Sequence, residues 1–289
     1  MNYFFRLSMK VYHTRSGIVV AFWGNYYATS ADWDTFVNRT ELHESILSEL
    51  GTYRRDSNCK AWIEHELLPP IGTQEVWAAG VTYSRSKEAR MDESKATGGA
   101  TFYDKVYEAE RPELFFKSSA SRVVGHGGTV RIRRDSTWNV PEPELTLFIS
   151  ASGSIEGYTI GNDVSSRSIE GDNPLYLPQA KTYQYSAALG PCLYVPENPI
   201  SPDTHITMEI VRSGESLYHD KVAISKMKRT HTELAEFLFR ETEFPAGCLL
   251  MTGTCLVPAD HFTLKPADLV HITIDNIGTL SNLVGVREI

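Results

Sequence analysis

The segment Glu142-Pro143-Glu144, followed by Asp163, constrains this chain more than any other feature. Carboxylates two residues apart in an extended segment project to the same side. The apolar run Gly157 to Ile160 reads as the returning strand, which carries Asp163 back toward the pair. Trp138, Val140, Leu145, Leu147, Phe148 and Ile149 make the surroundings apolar. Three carboxylates converging there push one another's pKa up and cost stability unless compensated. A hard divalent cation with oxygen ligands compensates them, and Mg2+ takes few carboxylates, leaving positions for water and substrate. A solvated strand face is the alternative reading of the Glu-x-Glu pair, and the apolar flanks argue against it. Pro143 lacks a ladder donor, which favours an edge or irregular strand position open to a cavity.

Bulk properties narrow the function classes. A length of 289 residues admits one large domain, or one large and one small. The 42% hydrophobic and 22% charged fractions are those of a globular chain, so disorder is not expected. A net charge of -8 argues against nucleic acid as the partner. No apolar run is long enough for a membrane span, Gly17 to Trp23 included. Thr14, Arg15 and Ser16 interrupt any secretory signal. Cys59, Cys192, Cys248 and Cys255 form no Cys-x-x-Cys, so reduced thiols and a cytoplasmic location are expected. The nine histidines form no His-Glu-x-x-His, which leaves a zinc hydrolase unsupported. Neither a dinucleotide fingerprint nor a phosphate loop is present.

Along the chain, residues 1–70 read as a small N-terminal α/β module and 71–289 as the main domain. Met9 to His13 and Gly17 to Trp23 are expected strands. A helix capped by Ser30 or Asp32 and a second run from Glu41 to Leu50 follow. Leu67-Leu68-Pro69-Pro70 reads as a linker. Beyond it, Val76 to Gly80 is a short buried strand. The charged stretch Tyr83 to Ser94, broken at Gly98-Gly99, reads as a cover over a site or a plain surface loop. Strands then dominate: Leu114 to Lys117, Thr129 to Ile132, Leu145 to Ile149, Gly157 to Ile160, Cys192 to Val195, Ile206 to Val211 and Val270 to Ile274. Thr230-x-x-Glu233, with Leu234, Phe237 and Leu238, signals a capped helix. The class is mainly β with α.

Several segments in this order resemble the fumarylacetoacetate hydrolase family. They are Ala79-Gly80-Val81-Thr82-Tyr83, Phe115-Phe116-Lys117, Glu142-Pro143-Glu144, Gly157 to Ser165, Gln179-Ala180-Lys181, Leu189-Gly190-Pro191 and Thr252-Gly253-Thr254. The resemblance implies a mixed β-roll (an α+β fold) holding a divalent metal, Mg2+ with Mn2+ or Ca2+ as alternatives. It implies Glu142, Glu144 and Asp163 as metal ligands, Lys181 as the active-site lysine and Thr254 as a substrate contact. A homodimer or homotetramer is the implied assembly.

One departure matters. Hydrolases of the family carry a His and a Glu that activate water, in a Gly-x-Asn-Tyr-x-x-His-x-x-Glu segment. Here Ser86 and Ala89 occupy those two positions. Serine is no base at neutral pH without help, which puts carbon–carbon hydrolysis in doubt. Gly80 to Arg90, Pro112 to Lys117 and Glu170 to Lys181 resemble instead the sugar-acid dehydratase branch. That branch implies metal-dependent dehydration of a 2-keto-3-deoxy sugar acid. An acylpyruvate-type hydrolase, a 2-keto acid decarboxylase and a non-catalytic sugar-acid or metal-binding module are the competing readings.

A dehydration needs a base and an acid beside the metal. Lys181 and Glu113 are the candidates, since a cation disfavours the charged form of a neighbouring lysine. A carboxylate anchor or a Schiff base are the alternatives for Lys181. Ser84, Arg85, Ser86 and Lys117 are candidate contacts to the 2-keto acid.

Overall fold

Short strands before residue 56, at 75–80 and after residue 112 assemble into two large sheets in the computed structural model, which describes residues 8–84 and 105–288. Strands β1 (Ser8–Thr14), β2 (Gly17–Phe22) and β3 (Asn25–Thr29) form an antiparallel meander, extended by β4 (Arg54–Arg55). β5 (Glu75–Gly80) and β6 (Glu113–Ser119) pair antiparallel, and β7 (Val123–Val124) and β8 (Thr129–Arg131) follow. The strands that position the acidic trio are β9 (Asn139–Val140), β10 (Pro143–Ile149), β11 (Ile155–Asp163) and β12 (Ser165–Ser166). The remainder are β13 (Ala187–Pro196), β14 (His205–Arg212), β15 (Glu215–Ala223), β16 (Cys248–Met251), β17 (Leu269–Ile274) and β18 (Gly278–Gly285).

The large sheet has eleven strands, in the order β4-β3-β2-β1-β13-β11-β10-β16-β5-β6, with β7 alongside β13. The second has five, in the order β15-β14-β17-β18-β8. The two sheets face each other across one apolar layer. Leu145, Leu147 and Ile160 of the large sheet meet Ile206, Met208, Ile272 and Leu280 of the small one. The opposite face of the large sheet is covered by α1 (Trp33–Val37) and α2 (Leu42–Glu49), whose Trp33, Phe36 and Ile46 pack with Phe148, Leu249 and Met251. Strand β10 is therefore buried on both faces, which is why its sequence reads as an almost continuous apolar run. A third helix, α3 (Cys59–His65), lies over β3.

The helix signals were well placed. The side chain of Asp32 accepts the Thr35 amide at 3.0 Å and starts α1. Thr230 and Glu233 form a reciprocal capping box. Two short helices near the acidic trio carry Arg167 and Lys181: α4 (Arg167–Asp172) and α5 (Leu177–Lys181). The N-terminal helix α1 and the capped helix, labelled α6 (His231–Phe239), lie on opposite faces of the large sheet.

Two expectations need adjustment. Pro143 is not on an edge strand, because β10 lies between β11 and β16. It occupies the first residue of that strand, where no partner needs its missing donor; pairing to β16 begins only at Thr146. The segment before residue 70 also continues the large sheet, through pairing of β1 with β13 from Ser8↔Pro196 to Val11↔Leu193. Met9 and Val11 share one apolar cluster with Leu193 and Leu249. We propose the division near Pro69-Pro70 as a boundary along the chain, bridged in space by this strand pair. The expected cover from Tyr83 to Ser94 and its Gly98-Gly99 break lie, from Arg85 on, outside the described residues.

Gly161 shows how tightly β10 and β11 meet. A Cβ there would stand 2.4 Å from Thr146 Oγ1 and 3.0 Å from Met251 Cε. Overpacking of this kind costs about 1–3 kcal/mol. Gly161→Ala is expected to lower unfolding stability by that amount in urea titration. Thr146→Ala removes the clashing hydroxyl, so the double variant should recover most of the loss. Additive losses in the double variant would contradict this packing.

Candidate metal centre

Strand register brings the three acids together. The ladder between β10 and β11 pairs Pro143 with Asn162 and Glu144 with Gly161, and the Asp163 amide donates to the Glu142 carbonyl at 2.9 Å. Glu142 and Asp163 thus face each other at the end of the ladder. Glu144 sits one pair inward, opposite Gly161. One oxygen from each of the three lies within 4.8 Å of the others, and none of the residues exceeds 2% exposure.

Such a cluster survives only with positive charge around it. Arg167, at the start of α4, donates Nη2 to Glu142 Oε1 at 2.6 Å. Lys117, on β6, donates Nζ to Asp163 Oδ1 at 2.5 Å. The Gly253 amide donates to Glu144 Oε2 at 2.6 Å. Lys181, the last residue of α5, bonds Glu142 Oε2, Asp163 Oδ2 at 3.3 Å and Ser165 Oγ at 2.7 Å. Each carboxylate therefore has one oxygen held by a donor at the rim of the cluster, and Lys181 meets the second oxygens of Glu142 and Asp163. Burial, followed by the charges of Asp163 and Glu142, holds the Glu144 carboxyl well above the usual carboxylate range. Burial likewise lowers the Lys117 ammonium, against the pull of Asp163.

Backbone conformation serves the same end. Gly253 has φ +98°, and a Cβ there would come within 2.0 Å of Thr82 Oγ1. Glycine alone turns the chain so that this amide points at Glu144. Val81 also has positive φ, +53°, which a β-branched residue rarely adopts, and it lines the same small cavity.

The donor set fits a hard divalent cation. Three carboxylates supply oxygen only, with no sulfur or imidazole among them. In formal charge, three ionised acids and the three cations Lys117, Arg167 and Lys181 balance to zero. A bound divalent ion would leave two positive charges in excess, which favours an anionic ligand.

The other candidate residues fall out as follows. Thr254 is buried and lines the cavity. Glu113 opens β6 opposite Gly80, and its Oε2 lies 1.9 Å from where a Gly80 Cβ would be. Gly80 lines the metal cavity, while Glu113 itself lines a larger neighbouring one with Leu114 and Leu177. Lys117 departs from its expected role as a substrate contact. It is fully buried, and it also donates to the carbonyls of Val164 at 3.1 Å and Lys181 at 2.5 Å and to Ser186 Oγ at 3.1 Å. With four acceptors for three N–H groups, no donor is left for a ligand. Ser84 is exposed. Arg85 and Ser86 lie outside the described residues. Arg167 and the Gly253 amide were not singled out in the sequence. The signal for Arg167 was available: a cation four positions after Asp163, where buried acids demand one.

Comparison with known proteins agrees with this geometry. Residues 76–285 match the family described as fumarylacetoacetate (FAA) hydrolase C-terminal. A probable 2-keto-3-deoxyxylonate dehydratase of Haloferax volcanii is 44% identical over 90% of this chain and 91% of its own length. The 2-dehydro-3-deoxy-D-arabinonate dehydratase of Saccharolobus solfataricus is 45% identical over 77% of this chain and 75% of its own. A solved structure of 2-keto-3-deoxy-D-arabinonate dehydratase complexed with magnesium and 2,5-dioxopentanoate superposes with a TM-score of 0.81. It is 33% identical and covers 98% of this chain and 100% of its own.

Metal must compete with protons for Glu144, whose carboxyl is raised. A cation binds the deprotonated form, so affinity is expected to rise with pH up to the raised Glu144 value and level off above it. Calorimetric Mg2+ titrations from pH 5 to 8 should show this slope. An affinity independent of pH across that range would contradict the proton competition.

Proposed function

The chain belongs to the fumarylacetoacetate hydrolase family, and on that premise we propose that it dehydrates a 2-keto-3-deoxy-D-pentonate to 2,5-dioxopentanoate with Mg2+. The observation that carries this reading is the buried Glu142–Glu144–Asp163 cluster, ringed by donors that hold one oxygen of each carboxylate. The two dehydratase relatives bear names built on xylonate and arabinonate. Oxidation at C2 and loss of the C3 hydroxyl erase the centres that distinguish those sugars. For one C4 configuration the two names describe one compound.

Bound among the trio, Mg2+ supplies Lewis-acid stabilisation of negative charge on the oxygens of a 2-keto acid. The residues present the rest. Glu142, Glu144 and Asp163 hold their oxygens toward one point because Arg167, the Gly253 amide and Lys117 hold the others. Lys181 lines the cavity beside the three acids and is our candidate for removing the C3 proton. The C4 hydroxyl departs as water after taking a proton, and Glu113 is our candidate for that delivery. One of its oxygens is buried without a partner, beside the glycine that lines the cavity. C5 then gives up a proton and C3 takes one, which leaves a C4–C5 enol; transfer of the enol hydroxyl proton to C4 gives the aldehyde, so one pentonate yields one dioxo acid and one water.

Dehydration is favoured over carbon–carbon hydrolysis by Ser86 and Ala89, which replace the His and Glu of the hydrolase segment. Thr254 and the Ser84–Ser86 segment remain proposed substrate contacts. We further propose a homodimer or homotetramer in the cytoplasm, a setting in keeping with the absence of a disulfide among the described residues. Among the described residues no helix is long and apolar enough to cross a membrane.

Product analysis decides the reaction. Wild-type protein with Mg2+ and the two C4 epimers of 2-keto-3-deoxypentonate should release 2,5-dioxopentanoate from one of them. Pyruvate from an acylpyruvate, with no aldehyde from either pentonate, would assign a hydrolase instead. Glu144→Gln should lower kcat/KM by about 10³-fold or more, roughly 4 kcal/mol of transition-state stabilisation. Borohydride trapping followed by mass spectrometry addresses Lys181. No adduct on wild type is expected for a proton-transfer role. An adduct that vanishes in Lys181→Ala would assign a Schiff base.

A further inference from the structure

The chain is acidic, with net charge -8, yet four arginines converge on one cavity of about 290 Å³. Arg131, Arg133, Arg134 and Arg287 line it, and Asp135 is the one carboxylate in the lining. Four guanidiniums against one carboxylate leave three positive charges. Parallel pairing of β8 with β18, in which Arg131 lies opposite Gly285, brings the two chain segments to the same place. Arg133 is fixed by a two-pronged bond to Asp135, at 2.8 and 2.6 Å, and by donation to the Gln179 carbonyl at 3.1 Å. The Arg131 guanidinium lies 4.6 Å from the centre of the Tyr185 ring. Among the described residues no carboxylate pairs with Arg131, Arg134 or Arg287.

Solvated surface arginines are the plain alternative. They spread apart when nothing holds them, because like charges repel. Here two are immobilised by ring or carboxylate contacts, so part of the ordering a ligand would demand is already complete. Guanidinium forks match planar or tetrahedral oxoanions in pairs. We propose that this cavity binds a small dianionic oxoanion, either a phosphate group or a dicarboxylate.

The cavity also shares a wall with the metal centre. Tyr183 lines it, with Arg133 at 5.6 Å and Lys117 at 5.8 Å from the centre of the same ring. The Tyr183 hydroxyl donates to the Val164 carbonyl at 3.2 Å, which Lys117 also bonds. Gln179, which accepts from Arg133, lies two residues before Lys181 in α5. The site stands whether or not the pentonate reading holds, because its signature is binding.

The test is calorimetric titration of inorganic phosphate and, separately, succinate into the full-length protein with Mg2+ at low ionic strength. At least one anion should bind wild type saturably, one per chain. Affinity should fall tenfold or more in the Arg134→Ala/Arg287→Ala double variant and stay unchanged in Glu144→Gln. The double variant should keep wild-type turnover in the absence of anion. The corresponding double lysine variant keeps the charge and loses the fork, so its affinity should lie between the two. Which anion saturates identifies the source of the ligand. Failure of both to saturate, equal affinity in the alanine variant, or loss of binding in Glu144→Gln would each overturn the proposal.

Discussion

The antiparallel register of β10 against β11 is the constraint on which the rest depends. It places Glu142 beside Asp163 and Glu144 opposite Gly161. Sliding that ladder by one residue would turn the acids into the apolar layer between the sheets and bring Leu145 and Ile160 out of it. Packing therefore enforces the site. The same side chains that bury against Ile206 and Ile272 hold the carboxylates in place from the other face of the strand. No flexible loop sets the spacing of the acids, which suits a centre that must keep its geometry through turnover.

Burying three like charges costs several kcal/mol for each ion unless partners and hydrogen bonds offset it. The fold answers from four separate places: β6 with Lys117, α4 with Arg167, α5 with Lys181 and the turn after β16 with the Gly253 amide. Glu142 meets Arg167 and Lys181, Asp163 meets Lys117 and Lys181, and Glu144 accepts from the Gly253 amide, so elements distant in sequence are bound to one electrostatic arrangement. Glycines complete it. Gly80 leaves space for Glu113, Gly161 for the Thr146 side chain and Gly253 for a backbone amide aimed at Glu144.

The acidic trio could be read from the sequence because two local signals, a two-residue spacing in an extended run and a second apolar run returning after it, coincided with the family resemblance. The capped helix at Thr230 was legible for the same reason, since its box lies within four residues. The Gly253 amide was not legible, because its role exists only once β16 has been placed in space; Arg167 had one local signal, its place four residues after Asp163. Lys117 looked like a ligand contact beside Phe115 and Phe116. Its true surroundings are set by Asp163, Lys181 and Ser186, residues 46, 64 and 69 positions away. β16 was visible only as an apolar run before a glycine turn. Four residues carry no periodicity that separates a buried strand from a buried helix.

Lys181 joins the electrostatics to the chemistry. Its ammonium bonds Glu142, Asp163 and Ser165. It thus stands where a divalent ion would place its own charge, against the same second oxygens. An ion held by the trio would compete with this ammonium for the second oxygens of Glu142 and Asp163 and would release it from them. Lys117 has no comparable freedom, because Val164, Ser186 and the Lys181 carbonyl hold it in place. The two lysines touch the same aspartate, and their different sets of partners separate a fixed counter-ion from a candidate base.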